Sequence, residues 1–199
     1  MKLRSFVAVE IPAGIQGALA QATAPLQKAL PKPLIRWVAP QNVHLTLKFL
    51  GDVEPADLAR LVEALKTELI TQETFALSVG GLGAFPSPQR ARVVWIGLAA
   101  PPALMILAHN IEAVASGLGY PAEARPFSPH LTIGRVGQAV SKADAQRICT
   151  ALERMQVGGL GTLRVDAVHI FKSELQPGGS VYTPLYTLPM KSPHSPPIS

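Results

Sequence analysis

The chain alternates between two hydrophobic rhythms, one of period two and one near three and a half, which predicts strands and amphipathic helices mixed along its length. Leu3 to Ile11 reads as a first strand stopped by Pro12. Ala13 to Leu30 sets Ile15, Leu19, Leu26 and Leu30 at helical spacing, with a break expected at Pro25 and an end at Pro31 and Pro33. Ile35 to Val38 and Val43 to Leu50 read as strands, and Ala56 to Ile70 as a helix with Leu58, Leu61, Val62, Leu65 and Leu69 on one face. Strands are expected at Phe75 to Val79 and Val93 to Leu98, joined by a Gly- and Pro-rich loop from Gly80 to Arg90. Pro101 to Leu118 is a helix opened by proline, Leu131 to Val136 a strand, and Ser141 to Met155 a helix with Ser141 as its N-cap. Thr162 to Asp166, Val168 to Leu175 and Val181 to Leu188 complete the strands, and Pro189 to Ser199 reads as a flexible tail. One domain over residues 1–188 is therefore expected.

Composition narrows the class. Of 199 residues, 48% are apolar and 16% charged, which excludes a disordered, collagenous or coiled-coil chain. The net charge of +5 suits a polyanionic or phosphorylated ligand. Cys149 is the single cysteine, so no internal disulfide can form, and a reducing compartment is favoured. The apolar run Phe6 to Val9 is too short for a secretory core, and no run reaches the ~18 residues of a membrane span, so a cytoplasmic protein without membrane contact is expected.

The most informative pattern is a repeat. His44-Leu45-Thr46-Leu47 aligns with His130-Leu131-Thr132-Ile133 at an offset of 86, and the same offset carries Gly51 onto Gly137 and Phe85 onto Phe171. One inserted residue shifts the register to 87 in the following helix, where Ala56-Asp57, Arg60 and Ala64-Leu65 match Ala143-Asp144, Arg147 and Ala151-Leu152. Each match is weak alone, but their common register points to a duplicated strand–turn–helix–strand unit. Two such units predict two lobes about a pseudo-twofold axis, with the His-x-Thr strands facing one cleft.

Side chains at i and i+2 of a strand share a face. His44, Thr46 and Lys48 are therefore expected together, opposite Val43, Leu45, Leu47 and Phe49, and His130 and Thr132 opposite Leu131 and Ile133. Two imidazoles and two hydroxyls suit in-line displacement at phosphorus. One neutral histidine takes a proton from water, one protonated histidine gives a proton to the leaving oxygen, and the hydroxyls hold the phosphate oxygens. This scheme uses no metal or other cofactor. A lone His-x-Thr is usually a half-buried histidine bonded to a neighbour, and only the duplication changes that reading. Zinc fits less well, because two histidines need at least a third ligand.

These motifs resemble the 2H phosphoesterase superfamily, and more narrowly the RNA 2′,3′-cyclic phosphodiesterases once called 2′-5′ RNA ligases. The resemblance is carried by Arg36-Trp37-Val38, Asn42 to Gly51, Ser128 to Arg135, Phe171 to Leu175, and Tyr182, and it runs from about Leu3 to Leu188. It implies an α+β, bilobal fold, with two antiparallel sheets flanking a central groove and helices outside. It implies hydrolysis of an RNA 2′,3′-cyclic phosphate end to a 2′-phosphomonoester. It also implies His44 as proton donor, His130 as proton acceptor, and Thr46 and Thr132 as phosphate ligands; spacing alone leaves donor and acceptor interchangeable.

Further RNA contacts are expected from Lys48, Arg135, Phe127 and Trp37. Lys48 shares the His44 face, or is a solvated rim lysine. Arg135 has the wrong parity unless the strand twists or ends near Gly134. Phe127 and Trp37 can stack on a base, although core packing competes for both. His109, His169 and His194 receive no role. Two alternatives stay open: a non-catalytic RNA or nucleotide phosphate-binding module, and 2′-5′ end joining by the reverse reaction. A monomer without an obligate protein partner is expected. The physiological RNA, its base preference and the direction of reaction in the cell are not legible in the sequence.

Overall fold

The computed structural model describes residues 2–176 and 179–192. Its strands are β1 Leu3–Glu10, β2 Ile35–Trp37, β3 His44–Val53, β4 Phe75–Phe85, β5 Val93–Leu98, β6 His130–Val136, β7 Gly159–Val165, β8 Ala167–Gln176 and β9 Gly179–Pro189. They form one antiparallel sheet in the order β7-β4-β5-β6-β3-β1-β8-β9, with β2 added beside β6. The expected two sheets are thus two halves of one sheet. Their seam, β3 against β6, carries a single paired position, Leu45 with Leu131.

The halves exchange strands. β4 follows the first His-x-Thr strand in sequence but pairs with β5, in the half built on β6. β8 follows the second and pairs with β1, in the half built on β3. The pairs Phe85–Val93 and Phe171–Phe6 are equivalent positions of the two halves. Helices α1 Ala13–Ala29, α2 Pro55–Leu69, α3 Pro102–Gly117 and α4 Lys142–Arg154 cover the opposite face. Helix α3 packs on β3 and α2 on β9, while α1 packs on β7. Leu19, Leu30, Leu61, Leu65, Leu104, Leu107 and Ile111, all 2% exposed or less, close the core against Leu45 and Leu131. Among the described residues no helix is long and apolar enough to cross a membrane.

Matching irregularities in the two halves decide the site. Between β1 and β3, Val7 pairs with Lys48 and Ala8 with Thr46, so Leu47 is an extra residue. Between β5 and β6, Val94 pairs with Gly134 and Trp95 with Thr132, so Ile133 is the extra one. A bulge reverses the face of every residue beyond it. Lys48 therefore turns inward, 4% exposed, and Phe49 turns out, 63% exposed, the reverse of strict alternation. In the other half Gly134 turns inward and Arg135 outward. Gly134 has no room for a side chain, since a Cβ there would lie 2.8 Å from Ile35 Cγ2 and 3.0 Å from the Trp37 ring.

Three local expectations are corrected. Helix α1 runs through Pro25, because that residue and Gln21, whose carbonyl loses its partner in the helix, are both exposed. The stretch from Gly80 is no loop at its start, since β4 continues to Phe85. Two of its glycines answer close packing: a Cβ on Gly80 would lie 2.7 Å from the Gly158 carbonyl oxygen, and one on Gly83 would collide with the Trp95 ring, whereas Gly81 has open space around it and a φ of 78°, which favours glycine. The ordered chain continues past Pro189. Met190 is 7% exposed, and the Lys191 backbone bonds Gln72 and Thr74. Ser141 caps α4 as expected, accepting from the Asp144 N–H at 3.1 Å. His194 and residues 193–199 lie outside the described residues.

Candidate active site

His44 opens β3 and His130 opens β6, and each ring is held in the same way. His44 Nδ1 lies 2.9 Å from the Asn42 carbonyl oxygen, and His130 Nδ1 lies 2.7 Å from that of Ser128. A carbonyl only accepts, so both Nδ1 atoms carry hydrogen and both Nε2 atoms are left for a ligand. Antiparallel register about Leu45 and Leu131 sets His44 opposite Thr132 and Thr46 opposite His130. Both threonines are half-buried, and neither hydroxyl is taken by another group among the described residues. Two imidazole nitrogens and two free hydroxyls thus share one face across the seam.

The surroundings of the two rings differ. Phe6 stacks on His44 at 4.6 Å between ring centroids, Tyr182 meets it edge-on at 4.9 Å, and Phe171 lies at 6.3 Å. His130 has Phe85 edge-on at 4.9 Å. The position equivalent to Phe6 is Val93, too small to cover a ring, which leaves His130 more open. Burial in the aromatic cage lowers the His44 pKa from 6.5 to about 4, against the opposing effect of the Asn42 bond, and the charges of Arg135 and His130 lower it further. Both charges are thus near enough to act on the His44 ring. Because the unfolded chain takes this proton first, folding stability falls as pH drops from 6.5 toward 4.

The four motif residues thus come together, and Arg135 joins them because the bulge at Ile133 restores its parity. Lys48 and Trp37 do not join them. Lys48 is drawn to the helix side, where Nζ donates to Glu112 Oε1 at 2.7 Å and to the Pro121 carbonyl at 2.6 Å. Trp37 packs against Gly134 on the core side, and its indole N–H donates to the Leu30 carbonyl at 3.0 Å. Phe127 is half-buried against the main core. Phe49 is an aromatic residue exposed on the histidine face, backed by Phe6 at 6.2 Å. Spacing along the chain does not reveal Phe6, Phe49 and Tyr182 as groups around His44. Their signal lies in strand pairing, except that Phe171 answers Phe85 at the repeat offset. Among the described residues no three of His, Cys, Asp and Glu gather as a metal-ligand set.

Comparison with known proteins finds relatives along nearly the whole chain. The family model described as LigT like Phosphoesterase matches residues 9–95 and again 96–182. A protein of Methanothermobacter thermautotrophicus named RNA 2′,3′-cyclic phosphodiesterase is 33% identical over 183 residues, covering 92% of this chain and 96% of its own. The crystal structure of a Thermus thermophilus protein superposes with a TM-score of 0.79 at 26% identity, over 96% of this chain and all of that one. Escherichia coli LigT complexed with 3′-AMP superposes at 0.74 with 29% identity, over 96% of this chain and 99% of its own.

Proposed function

Since the chain belongs to the LigT-like phosphoesterase family, we propose that it hydrolyses RNA 2′,3′-cyclic phosphate ends to 2′-phosphomonoesters by acid–base catalysis between His44 and His130. The observation that carries this reading is the matched pair of rings, each with Nδ1–H tied to the carbonyl two residues before it and Nε2 left free. His130 takes a proton from water as its oxygen attacks phosphorus. The bond from phosphorus to the ribose 3′-oxygen breaks, and His44 delivers a proton to that oxygen. Thr46 and Thr132 donate to the non-bridging oxygens, and Arg135 balances their charge. Treating the protein with EDTA and following a 2′,3′-cyclic-ended oligoribonucleotide by phosphorus NMR tests this. A 2′-phosphate product formed without added metal is expected; binding without turnover would instead mark a phosphate-binding module.

The donor role of His44 demands a condition. With a pKa of about 4 it is neutral in the free protein at neutral pH. A bound phosphodiester anion offsets the positive charges beside it and accepts from Nε2–H, so it raises that pKa. Titrating the His44 ring by proton NMR with and without a non-hydrolysable phosphate analogue should move the midpoint upward by at least one pH unit. A midpoint that stays near its free value would reverse the assignment and make His44 the base.

Phe49 is the surface on which the terminal base stacks. It lies on the same face as Thr46 and is 63% exposed, with Phe6 behind it. Stacking of a base on an aromatic ring contributes roughly 1–3 kcal/mol. Phe49→Ala should therefore raise KM for a cyclic mononucleotide roughly tenfold, with kcat much less affected and Phe49→Trp retaining affinity. Steady-state kinetics of the three proteins checks this, and an unaltered KM in the alanine variant rejects it.

A further inference from the structure

Two arginines face each other where β2 joins β6. Arg36 and Arg135 are directly paired positions of that antiparallel ladder. Paired residues project from the same side of a sheet with Cα atoms about 5 Å apart. The side is fixed by their neighbours, because Gly134 packs against Ile35 and Trp37, and these three face the core. Arg36 and Arg135 consequently project on the opposite face, with His130 and Thr132. Both are exposed, and among the described residues neither guanidinium makes an ion pair or a side-chain hydrogen bond.

Like charges directly opposed in a sheet are destabilising unless an anion lies between them. Each guanidinium offers a fork of N–H donors that matches phosphate geometry. Arg135 lies near enough to the histidines to bias His44, whereas Arg36 sits one strand further from the seam. We propose that Arg36, paired with Arg135, forms a second anion subsite that binds the phosphate preceding the cyclic end in an RNA strand. This rests on the phosphodiesterase reading and adds to it: the subsite lets the protein favour a strand end over a free cyclic nucleotide. Trp37, suspected of touching RNA, then serves the core, and its neighbour Arg36 makes the contact.

The test compares a 2′,3′-cyclic mononucleotide with a short oligoribonucleotide of the same 3′ residue. The preference is the ratio of the two kcat/KM values. In Arg36→Gln this ratio should fall about tenfold, with Arg36→Lys intermediate, and the salt dependence for the oligoribonucleotide should lose about one counterion in its logarithmic slope. A variant with the wild-type ratio and slope overturns the proposal. So does an equal loss on both substrates, which would make Arg36 part of the primary site or of the fold; a thermal melt separates those two. If the wild-type protein turns over neither substrate, the phosphodiesterase reading itself fails.

Discussion

Replacing His130 by alanine is expected to lower kcat on a 2′,3′-cyclic-ended RNA by roughly 10²–10⁴-fold, and His44→Ala by a comparable factor. Each ring has its own proton to move, so neither can stand in for the other. The double variant should be little slower than the worse single one, because acid and base act in one transition state. Thr46→Val and Thr132→Val should cost less, since each removes one hydrogen-bond donor and leaves the proton transfers in place. Circular dichroism of the alanine variants should match wild type, as both rings lie at the site rather than in the main core. Undiminished turnover in either histidine variant would end the acid–base proposal, whereas loss of activity together with loss of fold would require the milder substitutions His44→Gln and His130→Gln.

Lys48→Ala should be the most destabilising of the polar substitutions, by about 2–4 kcal/mol. Its side chain is 3% exposed, and its ammonium joins three parts of the chain: β3, the Glu112 carboxylate on α3, and the Pro121 carbonyl in the segment leading to His130. Burial raises the Glu112 carboxyl pKa, but the bond from Lys48, the Glu123 N–H and the Ser116 hydroxyl outweigh it and hold the group below its ordinary value. Removing the lysine leaves an acceptor-lined site without its cation. Glu112 keeps some contact with water, at 29% exposure, which places the cost below that of a fully buried pair. Because a lowered carboxyl favours the folded state only while ionised, this contribution is lost as pH falls through the carboxylate range. Urea unfolding of Lys48→Ala, Glu112→Gln and the double variant measures the coupling. A Lys48→Ala midpoint equal to wild type would show that the pair is structurally idle.

The histidines were legible because their chemistry is local. His-x-Thr on a strand places both groups on one face whatever lies beside it, and the repeat offset shows that the pattern occurs twice. Beyond the threonines that simplicity ends. Leu47 and Ile133 are ordinary apolar residues, and nothing in their identity marks them as extra in the ladder; only the register with Val7–Ala8 and with Val94–Trp95 does so. Strict alternation therefore put Lys48 in the groove and Phe49 in the core, and the structure exchanges them. Trp37 and Arg36 differ by one position for a related reason. The inward residue of β2 is decided by the space over Gly134, which a three-residue strand does not announce. Gly80 and Gly83 of β4 are sites of close approach rather than of turning.

Periodicity, the repeated motif and charge balance determined the class of fold, the two imidazoles and the kind of ligand they suit, because each depends on residues within a few positions of one another. The tertiary structure alone decided which of two chemically equivalent histidines is enclosed. Phe171 and Tyr182 reach His44 from β8 and β9 after the halves exchange strands, whereas among the described residues Phe85 is the one aromatic ring against His130. Covering a ring depends on which distant segments the sheet brings beside it, and that depends on strand order and bulges rather than on the motif itself.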